Sequence, residues 1–228
     1  MHDEHRGDAP FNPMPPVITA IALGLFGAEA LLSLAVQGFL GGQEGVGWRT
    51  WVIRNYALKG DMQTWMLQSG RFPADFLKRY LTYPIVHGSF VHMAFAVVIL
   101  LALGKSVGGI FSAWAVFAIF LLSSVAGAIA FGLSGTSQWL LGAWPGVFGI
   151  LGAFTFLLWV DLGWQGANRW RAFTLFGLLL AVGLVFRLLF GARLDWIAEV
   201  AGFAAGFGLS FIVCPGGWDR AVARLRRR

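Results

Sequence analysis

Charged side chains are scarce in this sequence. They make up 12% of its 228 residues, about half the roughly 25% of an ordinary soluble domain. With so little charge and a mean hydropathy of +0.70, no water-facing surface can be built around a separate core. That excludes a soluble globular protein and leaves a membrane protein. Cysteine is nearly absent too. The single Cys214 can close no internal disulfide and belongs to no metal-ligand spacing, so it reads as a space-filler. No metal or cofactor is expected. Serine is missing from 138 to 209. Glycine, in contrast, occurs 31 times, and glycine is commoner in membrane helices than in soluble ones.

The net charge of +6 could point to nucleic acid, but its distribution does not. The last residues, GGWDRAVARLRRR, carry five arginines and one aspartate. A basic cluster just beyond a membrane helix is a cytoplasmic flank that meets anionic headgroups. Membrane lipids are therefore the expected partners, and nucleic acid is not.

A spanning helix needs about 20 mostly apolar residues. Six stretches qualify: 17–40, 86–104, 110–133, 142–160, 171–190 and 196–214. The fold class is thus an all-α, multi-pass membrane protein. Residues 1–16, polar and proline-rich, read as a disordered tail, 17–214 as the membrane domain, and 215–228 as a basic cytoplasmic tail. Between the first two helices, residues 41–85 interleave aromatics (Trp48, Trp51, Tyr56, Trp65, Phe72, Phe76) with charges. That mixture predicts short amphipathic helices lying in the headgroup region, a long semi-embedded first loop. Six crossings put both termini on one side. The tail arginines, Lys105, Arg169 and Arg171 place that side in the cytoplasm, while the six Lys or Arg of the linker argue the other way. The short remaining loops are those of a bacterial inner-membrane protein.

The fourth stretch, LGAWPGVFGILGA from Leu141, is unusual. A helix opened by Pro145 and ending at Val160 would be about 24 Å long at 1.5 Å per residue, short of a hydrocarbon core of about 30 Å. Its N-terminus is expected below the membrane surface, preceded by a re-entrant loop over 134–143. Such backbone must be buried in protein or face water, so a wet pocket open to the outside is expected there. No internal repeat is visible, which counts against an inverted-repeat transporter.

Ionisable groups inside membrane helices are functional candidates by default. Glu29, His87, His92 and Glu199 stand out. A proton path through Glu29, His87 and Glu199 would make a transporter. Each also has a structural reading: Glu29 protonated or bonded to a neighbouring helix, the histidines satisfied by water or backbone. His87 and His92 open the second helix five residues apart, which puts them on different faces. Glu199 lies beside the stripe Ala198–Gly202–Gly206, and the fourth helix has its own stripe at Gly142, Gly146, Gly149, Gly152 and Ala153. Two such helices are expected to touch, with Glu199 near their junction.

Taken together, these segments resemble the rhomboid family of intramembrane serine proteases, from about Phe76 to Pro215. HGSFVHMAF resembles the family's His-x4-His-x3-Asn segment, KRYLT its Trp-Arg motif with Lys78 in place of tryptophan, GAWPGVFGILGA its Gly-x-Ser-Gly helix start, and DWIAEVAGFAAGF its His-x-x-Gly-x-x-x-Gly run. The resemblance implies a six-helix rhomboid-like bundle. It also implies a dead site. The serine nucleophile falls on Trp144, the glycine after it on Pro145 (followed by Gly146), the histidine base on Glu199 and the oxyanion asparagine on Ala96. His87 and His92 are retained. Tryptophan has no nucleophilic oxygen, and proline has no N–H for an oxyanion. Ser89, Ser134 and Ser137 precede no such helix start. The expected function is therefore that of a pseudoprotease binding transmembrane clients or lipids near its second and fifth helices. An active intramembrane endopeptidase is the alternative. The Trp144 indole is expected to donate to Glu199. Arg187 is expected to snorkel to the interface or to meet an acidic client or a lipid phosphate.

Overall fold

The computed structural model describes residues 13–191 and 193–215. The two expected tails fall almost wholly outside them. Six helices are long and apolar enough to cross a membrane. In chain order, α1 is Pro16–Val36, and the linker holds α2 (Gly42–Gly45), α3 (Trp48–Tyr56), α4 (Gly60–Ser69), α5 (Ala74–Leu77) and α6 (Arg79–Thr82). Then come α7 (Phe90–Gly108), α8 (Ala113–Leu133), α9 (Trp144–Trp164), α10 (Thr174–Phe190) and α11 (Trp196–Val213). A two-residue pairing, β1 (Leu58–Lys59) with β2 (Trp139–Leu140), antiparallel, ties the linker to the loop before α9.

Local chemistry sets the helix limits. Expected to reach residue 40, the first helix stops at Val36. Gly38 takes φ +79°, its N–H bonds to Ala35 O, and Phe39 N–H bonds to Leu34 O. This is a Schellman stop, which needs a residue free to adopt the left-handed region. The second helix starts at Phe90 rather than at 86. Ser89 caps it, its Oγ accepting the His92 N–H at 3.2 Å. His87 therefore lies outside the helix, and the face argument for the histidine pair does not hold. The fourth helix begins at Trp144, one residue before Pro145, and runs to Trp164. Its 21 residues reach about 31 Å, so the short helix expected here is not found. The loop before it is irregular; Ser134, Gly135 and Ser137 are exposed, while Leu140, Gly142 and Ala143 next to the helix are buried, as irregular backbone must be inside a membrane unless it meets water.

Helix α9 is the centre of the bundle. Its glycines let two neighbours reach its backbone. A Cβ on Gly146 would meet the Phe120 ring of α8 at 2.8 Å. On the other side, Cβ atoms on Gly202 and Gly206 of α11 would run into the carbonyl oxygens of Pro145 and Gly149, and one on Gly152 into that of Phe203. The small-residue stripes thus do meet, as close membrane-helix packing requires. In contrast, no described residue of α10 is buried. It rests against the bundle through Phe176, which stacks on Phe203 at 3.8 Å and meets Phe148 edge-on at 6.3 Å.

Candidate functional site

The candidate residues gather where the α7 start, the α9 start and the α10–α11 turn meet. Tyr83, fully buried, anchors the chain before α7. Its hydroxyl donates to Ser124 O at 2.7 Å, and its carbonyl accepts the Gly142 N–H at 3.2 Å. Burial pushes its phenol well above the ordinary range. Gly142 has φ +89°, and a Cβ there would lie 2.8 Å from His92 Cε1. Glycine is thus required at this position both by conformation and by the close approach of the imidazole.

His87 is fully buried. Its Nε2 accepts the Ala143 N–H at 3.2 Å, and its Nδ1 lies 3.3 Å from Ile85 O. A nitrogen that accepts an N–H carries no proton, so the two contacts assign the neutral tautomer protonated at Nδ1. Burial, reinforced by His92, pulls its pKa down to about 4. The His92 ring stands edge-on to His87 at 5.5 Å and stacks on the Trp144 indole at 6.0 Å and 21°. The start of α9, expected to form the floor of a wet pocket, thus carries part of a stack of rings. Ala96, one turn after His92 on α7, is fully buried in the core. Pro145 and Gly146 are buried in the first turn of α9.

The expected Trp144–Glu199 pairing is not present. The indole Nε1 is buried with no hydrogen-bond partner, while Glu199 pairs with Arg187 Nη2. A guanidinium offers full charge and a two-pronged donor set, which a carboxylate prefers to a neutral indole. Arg187 also donates through Nε to Asp195 at 2.6 Å. Arg193 donates to the other Asp195 oxygen at 3.1 Å and to Trp139 O at 3.0 Å. Arg187, its side chain 15% exposed, therefore neither snorkels nor waits for an outside anion. Two arginines and two carboxylates close on one another and fasten the end of α10 to the start of α11.

A second cluster links α1 to the linker. Glu29 is fully buried. Arg49 of α3 grips it with Nη2 on Oε1 at 2.6 Å and Nη1 on Oε2 at 3.1 Å. Ser33 donates to Oε1 at 2.9 Å, and Arg49 also donates to His87 O at 2.8 Å. Arg79, the arginine of KRYLT, is 4% exposed and holds the linker together through Arg54 O and Ala57 O and the Asp75 carboxylate. Lys78 and Arg79 in turn hold the Asp75 carboxyl below its ordinary range.

Sequence reasoning missed Arg49, Asp195 and Arg193. Asp195 could have been found, because it stands four residues before Glu199 and so on the same helical face. Arg49 carries no local signal, since its partner is 20 residues away across a turn. Chemically, the site brings two imidazoles together. Among the described residues, no hydroxyl is hydrogen-bonded to a histidine ring. Ser89 caps α7, and the Ser134 hydroxyl donates to Phe131 O at 2.6 Å.

No curated protein matches the sequence. The family model of the Rhomboid domain matches residues 75–216, more than half of the chain, and that span takes in α7 to α11, the Arg79 anchor, both histidines and the arginine–carboxylate cluster. With its six apolar helices and this match, the chain is a multi-pass membrane protein that belongs to the rhomboid family.

Proposed function

We propose that this chain is a catalytically inactive rhomboid that receives transmembrane clients or lipids without cleaving them. One observation carries the reading: every group at a position matching the family's catalytic set is committed to something else. Position 144 holds an indole stacked on His92. Position 145 is a proline without an N–H. Position 199 is a carboxylate held by Arg187. The retained His87 presents Nε2 as an acceptor to Ala143, the wrong polarity for an oxyanion, which needs donors. The lateral face for a client lies along α10 and the exposed side of α7, where Phe95 and Val98 are about 60% exposed.

We place both termini in the cytoplasm of a bacterial cell, with the protein in the inner membrane. The tail arginines, Lys105, Arg169 and Arg171 support this orientation, and the six Lys or Arg of the linker count against it.

The test is a cleavage assay on purified protein in detergent, with a labelled transmembrane substrate and a fluorophosphonate serine probe. Neither cleavage nor labelling is expected, and photo-crosslinkers at Val98 should capture a client from native membranes. Cleavage that co-purifies with the chain and disappears on substituting one of its serines would refute the inactive reading.

A further inference from the structure

Away from the site just described, a groove of about 350 Å³ lies between the linker and α8. Met66, Leu67, Phe72 and Leu77 wall it on the linker side, and Val125 and Ile129 on α8. We infer that this groove holds one acyl chain of a phospholipid whose phosphate is met by Arg71.

Three observations favour that occupant. The first is direction. Val125 and Ile129 are one turn apart on one face of α8, about 6 Å along its axis. From Leu133, the end of α8 that meets the linker, down to Val125 is about 12 Å. The groove therefore runs along a membrane-spanning helix, the direction of a lipid tail. Its mouth is lipid-facing, since Leu67, Phe72, Leu77 and Ile129 are all at least 46% exposed.

The second is polarity. The only polar side chains in the wall are Gln63 and Tyr80, and they satisfy each other. The Tyr80 hydroxyl donates to Gln63 Oε1 at 2.6 Å, and Gln63 Nε2 donates to Ile129 O at 3.2 Å. No directed group is left for a polar ligand, so the wall suits hydrocarbon.

The third is charge. Arg71 adjoins Phe72 at the mouth and has no carboxylate partner among the described residues; only its backbone N–H is engaged, with Ser69 Oγ. An exposed guanidinium with no acidic partner among the described residues matches a phosphate.

The inference does not depend on whether the chain cleaves anything. Native mass spectrometry of the full chain in detergent tests it. Wild type should retain one phospholipid through delipidation, as should Leu23→Trp, a control on α1, 64% exposed and outside both the groove and the lateral face. Ile129→Trp, which fills the groove, should lower retention about tenfold, and Arg71→Gln should lower it in part. Should Ile129→Trp fail to fold, wild type labelled with a phospholipid carrying a tail diazirine decides. Labelled peptides should contain Met66–Leu67 and Val125–Ile129. Equal retention in Ile129→Trp and Leu23→Trp, labelling spread evenly over the exposed helices, or crosslinks between two copies through these residues would each overturn the assignment.

Discussion

Arg49 reaches from the linker into the membrane domain and grips both oxygens of Glu29, the nearer at 2.6 Å. The carboxylate is fully buried and the guanidinium side chain 17% exposed. This pair joins α1 to the part of the chain that also carries His87, because the same guanidinium holds the His87 carbonyl.

Breaking this pair from one side should be worse than removing both charges. Arg49→Met leaves a buried, uncompensated carboxylate, a loss of about 3–5 kcal/mol. Glu29→Gln with Arg49→Met removes the stranded charge and should recover much of that loss. Thermal unfolding in detergent of the two singles and the double measures the coupling. A double variant no more stable than Arg49→Met would show that the ion pair is not what holds the linker.

The His87 contacts make stability depend on pH in one window. In the folded protein the ring stays neutral down to about 4, whereas in the unfolded chain it takes a proton near about 6.5. Above that value both states are neutral and nothing changes. Between about 6.5 and about 4 the unfolded state binds the extra proton, so stability falls with falling pH. The total approaches roughly 3 kcal/mol. His87→Asn should flatten the unfolding midpoint across that window relative to wild type. Parallel curves for the two proteins would contradict the assigned tautomer and its burial.

The α9–α11 contact predicts a sharp contrast among glycines. Gly202→Ala places a methyl against the Pro145 carbonyl oxygen and forces the helices apart, a loss of about 1–3 kcal/mol. Gly208→Ala, on the same helix with nothing within 4 Å, should instead be neutral or stabilising by about 0.5–1 kcal/mol. Equal unfolding temperatures for the two variants would mean that the stripe does not set the packing.

Those stripes were legible in the sequence because small residues at every fourth position have one main use in a membrane, and the hydropathy runs were legible because a bilayer has one thickness. The linker helices followed from aromatics interleaved with charge. What could not be read depended on one residue or on distant partners. The start of α7 turned on whether Ser89 would cap it, which moved His87 off the helix and into contact with Ala143. The partner of Glu199 is not legible, because Arg187 sits on another helix and no periodicity links 187 to 199. Expecting the indole to serve Glu199 followed from pairing the two replaced positions, whereas full charge on a guanidinium is the stronger attraction.

Helix α10, which buries no described residue, depends on that guanidinium. Arg187→Leu removes charge-assisted bonds to Asp195 and Glu199, each contributing roughly 1.5–3 kcal/mol. The end of α10 should then swing away from α11. Spin labels at Val98 and Leu188, with Cys214→Ser as background, should give a broader and longer distance distribution in Arg187→Leu than in the labelled parent. An unchanged distribution would mean that the Phe176–Phe203 stack alone positions the helix.

Replacing the indole with a hydroxyl should not create an enzyme. Trp144→Ser supplies an oxygen at the start of α9, but the nearest imidazole of the pair, His92, has lost its stacking partner and is not fixed toward it. His87 cannot act as base, because Nε2 already accepts the Ala143 N–H and the ring resists protonation to about 4. Glu199 stays with Arg187, and residue 145 still has no N–H to stabilise an oxyanion, a donor worth about 3 kcal/mol in acyl transfer. Trp144→Ser is therefore expected to show neither substrate cleavage nor probe labelling above the parent protein, in the same assay at neutral pH. Probe attached to the hydroxyl introduced at position 144 would show that one substitution restores a nucleophile with its base, and that His92 can move into the place the indole now fills.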